Sequence, residues 1–595
     1  MAFRNYILVC GGTACESTKA NDIFEALIAE SKAQGVGDEV QIVKTGCFGF
    51  CEQGPIVKIL PEDSFYVQVT PADAQELIAE HVIKGREVKR LLYNKEGSRK
   101  HAKVEDIEFY QKQFRIVLRN CGFIDPENID EYIARDGYGA LEKVLFEMSD
   151  EDVINELKVS NLRGRGGAGF PTWMKWNFTR NAVADQKYIV VNADEGDPGA
   201  YMDRSTLEGD PHSVLEAMTI AGKTVGADQG YIYIRAEYPL AIHRLEVAMK
   251  QAREYGLLGK NILDSGFDFD IEIRLGAGAF VCGEETALLE SIAGHRGMPI
   301  PRPPFPAVKG LWGKPTVINN VETWANIPVI LLKGGAWFDQ IGTADSRGTK
   351  VFALTGKIRN SGLVEVPMGT TLREIIYDIG GGIANGKKFK AVQTGGPSGG
   401  VITEEHLDTP IDFGSLTKLG SMMGSGGMIV MDEDDCIVDV AKFYLNFTVD
   451  ESCGKCAPCR IGGRSLANLL EKITSGKGEL ADLDQMVEIG EAMKKASLCA
   501  LGQTAPNPIL SSLHFFRDEY LAHVVDHTCP AGSCKNLISY FIIPDKCIGC
   551  TACARKCPTS AISGERREVH LIDQEACIKC GICYETCKFG AIEIR

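Results

Sequence analysis

The stretch from Cys547 to Cys587 constrains this chain more than any other. It reads Cys547-x2-Cys550-x2-Cys553-x3-Cys557-Pro558 and then Cys577-x2-Cys580-x2-Cys583-x3-Cys587. Thiolates at every third position wrap one face of a cubane iron–sulfur cluster, and a fourth cysteine completes the set. Zinc sites favour pairs of ligands and seldom show this triple repeat. The second run has Lys588 where the first has Pro558, a departure at a position that is not a ligand. A chain with such a segment is expected to move electrons one at a time.

The remaining composition narrows the setting. A length of 595 residues suits about four domains. The net charge of −16 argues against nucleic acid or an anionic membrane as main partner. No apolar run approaches the roughly 20 residues that span a bilayer. The start, Met1 to Cys10, has too short an apolar core for a signal peptide. Twenty-one cysteines without an export signal read as metal ligands, not disulfides. The expected location is the cytoplasm of an anaerobic organism.

Residues 1–90 form a first unit. Tyr6–Cys10 and Glu39–Lys44 read as strands, and Asn21–Lys32 has helical spacing. Cys10-x4-Cys15 and Cys47-x3-Cys51 each sit in a glycine-rich loop after a strand, where backbone amides can point at cluster sulfurs. This resembles the thioredoxin-like 2Fe–2S ferredoxin domain, which implies that Cys10, Cys15, Cys47 and Cys51 hold a 2Fe–2S cluster. Residues 91–120 read as a basic linker leading into an amphipathic helix.

The next unit, 121–345, holds several glycine-rich motifs. They are Gly164-Arg165-Gly166-Gly167-Ala168-Gly169-Phe170, the buried strand Tyr188–Val191 running into Asn192-Ala193-Asp194-Glu195-Gly196-Asp197, Cys282-Gly283-Glu284-Glu285-Thr286 opening a helix, and Asn319-Asn320. Glycines let a backbone approach a flat ring or a phosphate, and a helix N-terminus favours an anion. In order and spacing they resemble the FMN- and NADH-binding flavoprotein subunit of respiratory complex I and its relatives in NAD-linked hydrogenases and formate dehydrogenases. The resemblance covers roughly residues 120–500. It implies an α/β nucleotide domain that is not a standard Rossmann unit, since G-x-G-x-x-G does not appear in a βαβ context.

Carried over by motif, Gly164, Arg165, Gly167, Lys175, Asn192, Asp194, Glu195, Glu284, Asn319 and Asn320 would line the FMN. Lys175 and the Asn319–Asn320 helix start would suit its phosphate, and Asn192 and Asp194 its ring and ribitol. Phe170, Phe178 and Phe305 would stack on the NADH adenine. Glu285 would accept from a ribose hydroxyl, which favours NADH over NADPH. Asp197 stands where the family commonly has Glu, and Arg302 where it commonly has Lys; both would lie near the nicotinamide nucleotide. In the family, residues 346–415 correspond to a ubiquitin-like domain.

Residues 416–539 read as a helical 4Fe–4S bundle, with Cys453-x2-Cys456-x2-Cys459 and the distant Cys499 as ligands. Of the other cysteines, Cys121 and Cys282 read as core residues. Cys436, His523, Cys529 and Cys534 supply the N and S ligands that a structural zinc prefers, in a hinge before the tail, with His514 and His527 nearby. Residues 540–595 resemble two-cluster bacterial ferredoxins. That resemblance implies a crossover, with Cys547, Cys550, Cys553 and Cys587 on one 4Fe–4S cluster and Cys577, Cys580, Cys583 and Cys557 on the other.

The expected protein is a multidomain α/β iron–sulfur flavoprotein. Its cofactors would be FMN, NAD(H), one 2Fe–2S cluster, three 4Fe–4S clusters and one zinc. A complex I flavoprotein normally lacks both terminal cluster domains. Their presence resembles the NADH-oxidising diaphorase subunit of trimeric, NAD-dependent, electron-bifurcating FeFe hydrogenases. The partners implied are a hydrogenase catalytic subunit, a small 2Fe–2S subunit and ferredoxin. The alternatives are the diaphorase subunit of a formate dehydrogenase and an electron-transfer module without a working flavin site.

Overall fold

A computed structural model describes residues 3–93 and 103–594. The chain divides into two compact units, residues 1–387 with 391–430, and residues 388–390 with 431–595.

The first unit opens with a four-stranded sheet in the order Val40–Thr45, Asn5–Cys10, Val57–Leu60, Ser64–Tyr66. The first pair is parallel and the others antiparallel. Ile7 and Val9 point into the core, where the helix Ala20–Ala33 contributes Ile23 and Leu27, one turn apart on one face. Most of the expected basic linker, residues 94–102, lies outside the described residues. The expected amphipathic helix is a single turn, Glu108–Gln111. It is packed in place: Phe109 stacks on Phe50 with ring centroids 4.3 Å apart.

The middle of this unit is a parallel four-stranded sheet in the order Asp270–Gly276, Gln229–Arg235, Tyr188–Ala193, Thr316–Asn320. Ile189, Val190 and Val191 are all buried, as a parallel strand covered on both sides requires. Helices Pro211–Val225, Pro239–Glu254 and Val321–Lys333 pack around it in one apolar core. A five-stranded sheet follows, ordered Gly362–Pro367, Thr349–Gly356, Gly427–Asp432, Phe389–Thr394, Gly400–Thr403. Its middle strand lies beyond residue 415, where the sequence placed the end of this domain. Periodicity weakens there because the intervening segment carries glycines at 414, 420, 424, 426 and 427.

The second unit holds helices Ile437–Asp450, Gly463–Thr474, Leu480–Ala496 and Asn507–Phe515, with Arg517–Val524 packed against them. The segment expected as a hinge is built into this core, since Cys529, Cys534, Leu537 and Ile538 are buried with Leu470 and Tyr520. The tail repeats one pattern twice. A short helix, Ala552–Lys556 or Ile582–Thr586, is entered through a left-handed residue, Thr551 (φ 63°) or Gly581 (φ 79°).

Candidate functional site

The parallel sheet gathers the motif residues at the carboxyl ends of its strands, where open α/β sheets bind ligands. Asn192 lies near the end of one strand, Arg235 ends its neighbour, Gly276 the next, and Asn319–Asn320 the fourth. Loops then interlock. Asn192 Nδ2 donates to the Gly283 carbonyl (2.8 Å), and Asp194 N donates to Asn192 Oδ1 (3.1 Å). Asn320 caps the helix Val321–Lys333 by accepting from Glu322 N (2.9 Å), and its amide donates to Asp203. A Cβ on Gly166 would lie 3.2 Å from Asn320 Cβ, and a Cβ on Gly167, at φ 107°, would lie 3.1 Å from Gly424 Cα. Side chains at these two positions would crowd Asn320 and Gly424.

Glu284 caps the helix Glu285–Ile292, accepting from Thr286 N and Ala287 N. Glu285 accepts from Lys175 Nζ (3.2 Å) and Arg302 Nη1 (2.5 Å). Burial acts to raise its carboxyl, but these two cations hold it below the ordinary range. Lys175 Nζ also donates to the Ile318 carbonyl (3.2 Å). Phe170, Phe178 and Phe305 are 41%, 48% and 56% exposed, so none of the three packs as a core residue. Arg302 lies over the Phe305 ring at 5.8 Å. Arg165 differs from the others. Its side chain is fully buried and donates to the carbonyls of Thr349, Arg163 and Arg347, so only its main chain faces the loop.

Carboxylates crowd this end of the sheet. Burial pushes Glu195 up to about 7 and Asp197 up to about 6, and burial together with Glu195 pushes Asp203 well up. Glu195 accepts from Asp203 N (3.0 Å) and Arg204 N (3.1 Å), and Asp197 accepts from Ser425 Oγ. Arg235, ion-paired with Asp194 at 3.2 Å, Asp203 and Ser425 were not singled out by sequence reasoning. They belong to no motif, and only the fold brings them here.

The cysteine sets converge too. Cys10 lies against Cys15 and Cys47, and Cys47 against Cys51. Each of Cys10, Cys47 and Cys51 is pushed well up, first by its neighbouring sulfur and then by burial. In the bundle, Cys453 and Cys456 neighbour Cys459, whose Sγ lies 3.2 Å from Ser452 Oγ. Cys499 caps the helix Ala500–Thr504, in which a Cβ on Gly502 would lie 2.8 Å from Cys459 Cβ. The tail holds two small clefts. Cys547, Cys550, Cys553 and Cys587 line one; Cys557, Cys577, Cys580 and Cys583 line the other. Each cleft thus takes its fourth cysteine from the opposite run, the arrangement that the crossover requires. Buried His570 also lines the first cleft, donating from Nδ1 to the Glu568 carbonyl (3.0 Å).

Cys436, His523, Cys529 and Cys534 are all buried, with ligand atoms within 4.8 Å of one another. Cys436 Sγ lies 3.4 Å from His523 Nε2 and 3.7 Å from Cys534 Sγ. His523 Nδ1 donates to the Glu519 carbonyl (2.7 Å), which turns Nε2 toward the sulfurs. Burial opposes a charged His523, yet Cys436 and Cys529 outweigh it and push the group up to about 10. His514 and His527 are not part of the cluster.

Comparison with known proteins agrees with this geometry. Family models match residues 3–81 (thioredoxin-like [2Fe-2S] ferredoxin), 157–329 (Nuo51 FMN-binding domain), 351–402 (SLBB domain), 439–523 (NADH-ubiquinone oxidoreductase-F iron-sulfur binding region) and 546–594 (4Fe-4S dicluster domain). The region expected to be ubiquitin-like is thus matched as an SLBB domain. The chain is 61% identical over 482 residues to the NADP-reducing hydrogenase component HndC of Solidesulfovibrio fructosivorans, covering 81% of this chain and 98% of that protein. It is 46% identical over 415 residues to an F-type component of the NADH-quinone oxidoreductase of Rhizobium meliloti, covering 70% of this chain and 99% of that one. A crystal structure of an NAD+-reducing [NiFe]-hydrogenase in the H2-reduced state aligns with TM-score 0.62 and 29% identity, over 88% of this chain and 85% of that chain. The chain is therefore an iron–sulfur flavoprotein oxidoreductase subunit. It belongs to the family that contains HndC and the F-type components of NADH-quinone oxidoreductases.

Proposed function

We propose that this subunit oxidises NADH at an FMN held on the carboxyl ends of the parallel strands and passes the electrons singly to its clusters. When bound, the flavin supplies hydride acceptance and one-electron release. The observation that carries the reading is the convergence of Asn192, Asp194, Glu284, Lys175 and Asn320 on those strand ends. The helix start at Asn320, with Lys175, suits the flavin phosphate, while Gly164 and Gly167 admit the ring. The exposed Phe170, Phe178 and Phe305 offer faces to an adenine, and anionic Glu285 suits the ribose hydroxyls of NADH. Asp197 and Arg302 border the nicotinamide side. The four cysteine sets suit one 2Fe–2S and three 4Fe–4S clusters, and the Cys436–His523–Cys529–Cys534 set suits a structural zinc.

The complex served is read as an electron-bifurcating hydrogenase, with a hydrogenase catalytic subunit, a small 2Fe–2S subunit and ferredoxin as partners. Cluster domains at both ends of one chain support that reading, as does the hydrogenase membership named for HndC. Among the described residues no helix is long and apolar enough to cross a membrane. The test is anaerobic reconstitution of the chain, followed by flavin quantification and viologen reduction with NADH and with NADPH. One FMN per chain and a preference for NADH are expected. Absence of bound flavin, or reduction by NADPH alone, refutes the assignment.

A further inference from the structure

One short helix, Met202–Gly209, touches both the flavin loop and the loops that carry the first four cysteines. Its first amides, Asp203 N and Arg204 N, donate to the Glu195 carboxylate at 3.0 and 3.1 Å. Just before it, the Tyr201 hydroxyl lies 3.8 Å from Cys51 Sγ as a hydrogen-bond donor. At its far end Glu208 accepts from Thr13 N (3.1 Å) and Thr13 Oγ1 (2.5 Å), between Cys10 and Cys15. Gly209 meets Gly46 so closely that a Cβ on Gly46 would lie 2.4 Å from Gly209 Cα. The helix is thus fixed against both cysteine loops, and Tyr201 has little freedom to leave Cys51.

Arg204 adds a charge to the same place. Its guanidinium lies between the rings of Tyr201 (5.8 Å) and Tyr238 (5.4 Å) and is ion-paired at 3.7 Å with Glu208. Tyr238 in turn donates to the Glu195 carbonyl (2.5 Å). The Tyr201 hydroxyl thus reaches the Cys51 sulfur while the Arg204 cation lies against the Tyr201 ring.

We propose that Tyr201 and Arg204 are positioning residues that, through the Cys51 sulfur, raise the reduction potential of the 2Fe–2S cluster beside the flavin loop. The inference rests on the reading of Cys10, Cys15, Cys47 and Cys51 as that cluster's ligands. Reduction adds one electron and no proton, so negative charge on the ligand sulfurs increases. A hydroxyl donor and a cation at one sulfur stabilise the reduced form more than the oxidised form. Phe at 201 would keep the ring packing and lose only the donor.

The test is a dithionite redox titration of the full-length, anaerobically reconstituted chain. It follows the 2Fe–2S EPR signal at a temperature where the 4Fe–4S signals are broadened away. Tyr201→Phe is expected to lower the reduced-to-oxidised ratio at fixed potential about tenfold, which for one electron is a midpoint shift of about 59 mV. The Fe–S(Cys) stretching bands should also lose a D2O shift present in the wild type. Arg204→Gln should lower the midpoint, and Arg204→Lys should restore most of it. An unchanged Tyr201→Phe midpoint with the signal intact overturns the proposal, as does an equal shift of every cluster. If Tyr201→Phe loses the cluster, the Arg204 pair decides, and equal midpoints for Gln and Lys overturn it. A wild type with no 2Fe–2S signal refutes the ligand reading instead.

Discussion

Replacing Cys529 with Ser removes one of four buried groups whose ligand atoms lie within 4.8 Å of one another. With Zn–S bonds of about 2.3 Å and Zn–N of about 2.0–2.1 Å, the edges of the tetrahedron are about 3.8 Å between sulfurs and about 3.6 Å from sulfur to nitrogen. The Cys436–Cys534 distance of 3.7 Å and the Cys436–His523 distance of 3.4 Å fall within about 0.2 Å of these, and all four ligand atoms lie within 4.8 Å of one another. Structural zinc sites contribute about 10–16 kcal/mol. An equal share for one thiolate is about 2.5–4 kcal/mol, a weakening of roughly 10²–10³-fold. The assay is metal analysis of anaerobically purified protein after graded chelator treatment, with iron measured in parallel. Zinc should leave at much lower chelator concentration, and iron should stay near the wild-type value, because Cys529 lines neither tail cleft. Limited proteolysis should then open the segment around Leu537 and Ile538, now buried in the bundle core. Loss of about four iron atoms with zinc retained would show that Cys529 is a cluster ligand and that the geometric argument fails.

Three further outcomes follow from the same geometry. Cys557→Ser should weaken the cluster of the Cys577 run. Adding Cys557→Ser to Cys580→Ser should therefore cost no further cluster, whereas adding it to Cys550→Ser should cost a second; EPR spin counting that shows the reverse pattern refutes the crossover. Glu285→Gln removes an anion and frees Arg302, so the NADH-over-NADPH ratio of kcat/KM should fall about 10–100-fold, within the range for one close charge contact; a ratio unchanged within about twofold denies Glu285 the ribose position. Ferredoxin-coupled hydrogen turnover of the assembled complex should vanish in Cys550→Ala/Cys580→Ala while NADH–viologen activity survives. Substitution is the better perturbation than deleting 540–595, because Tyr540, Ile562 and Ile592 share the apolar core of the bundle. Coupling that persists removes the tail from the ferredoxin route.

What the sequence could show was what neighbours along the chain decide. The cysteine spacings, the buried run Ile189–Val191 and the helix opened by Glu285 are local signals, and each stands in the structure where its pattern put it. Cys436 is the exception that worked across distance. Ligand chemistry alone tied it to His523, and the fold brings their atoms to 3.4 Å. Motif transfer was weaker for side-chain direction. Arg165 sits in the glycine loop as expected, yet its guanidinium satisfies three carbonyls beneath it. A spacing fixes where a backbone goes and says little about which way a long side chain turns.

The residues that sequence reading passed over share one property: each acts across a gap in the chain. Arg235 meets Asp194 from the adjacent strand, Ser425 meets Asp197 from just before the strand Gly427–Asp432, and Tyr201 meets Cys51 across 150 positions. Asp203 shows why such positions matter to electron transfer. It is buried, it is pushed well up by burial and by Glu195, and its backbone amide holds Glu195 while Asn320 holds its own carboxylate. Two buried carboxyls joined this way resist carrying full charge together. The Glu195 carboxylate is held by the first amides of Met202–Gly209, a helix that also reaches the cysteine loops. Tyr201, Asp203, Arg204 and Glu208 stand in no motif, so the contact between the Glu195 loop and the cysteine loops becomes visible only once both are seen against the same helix.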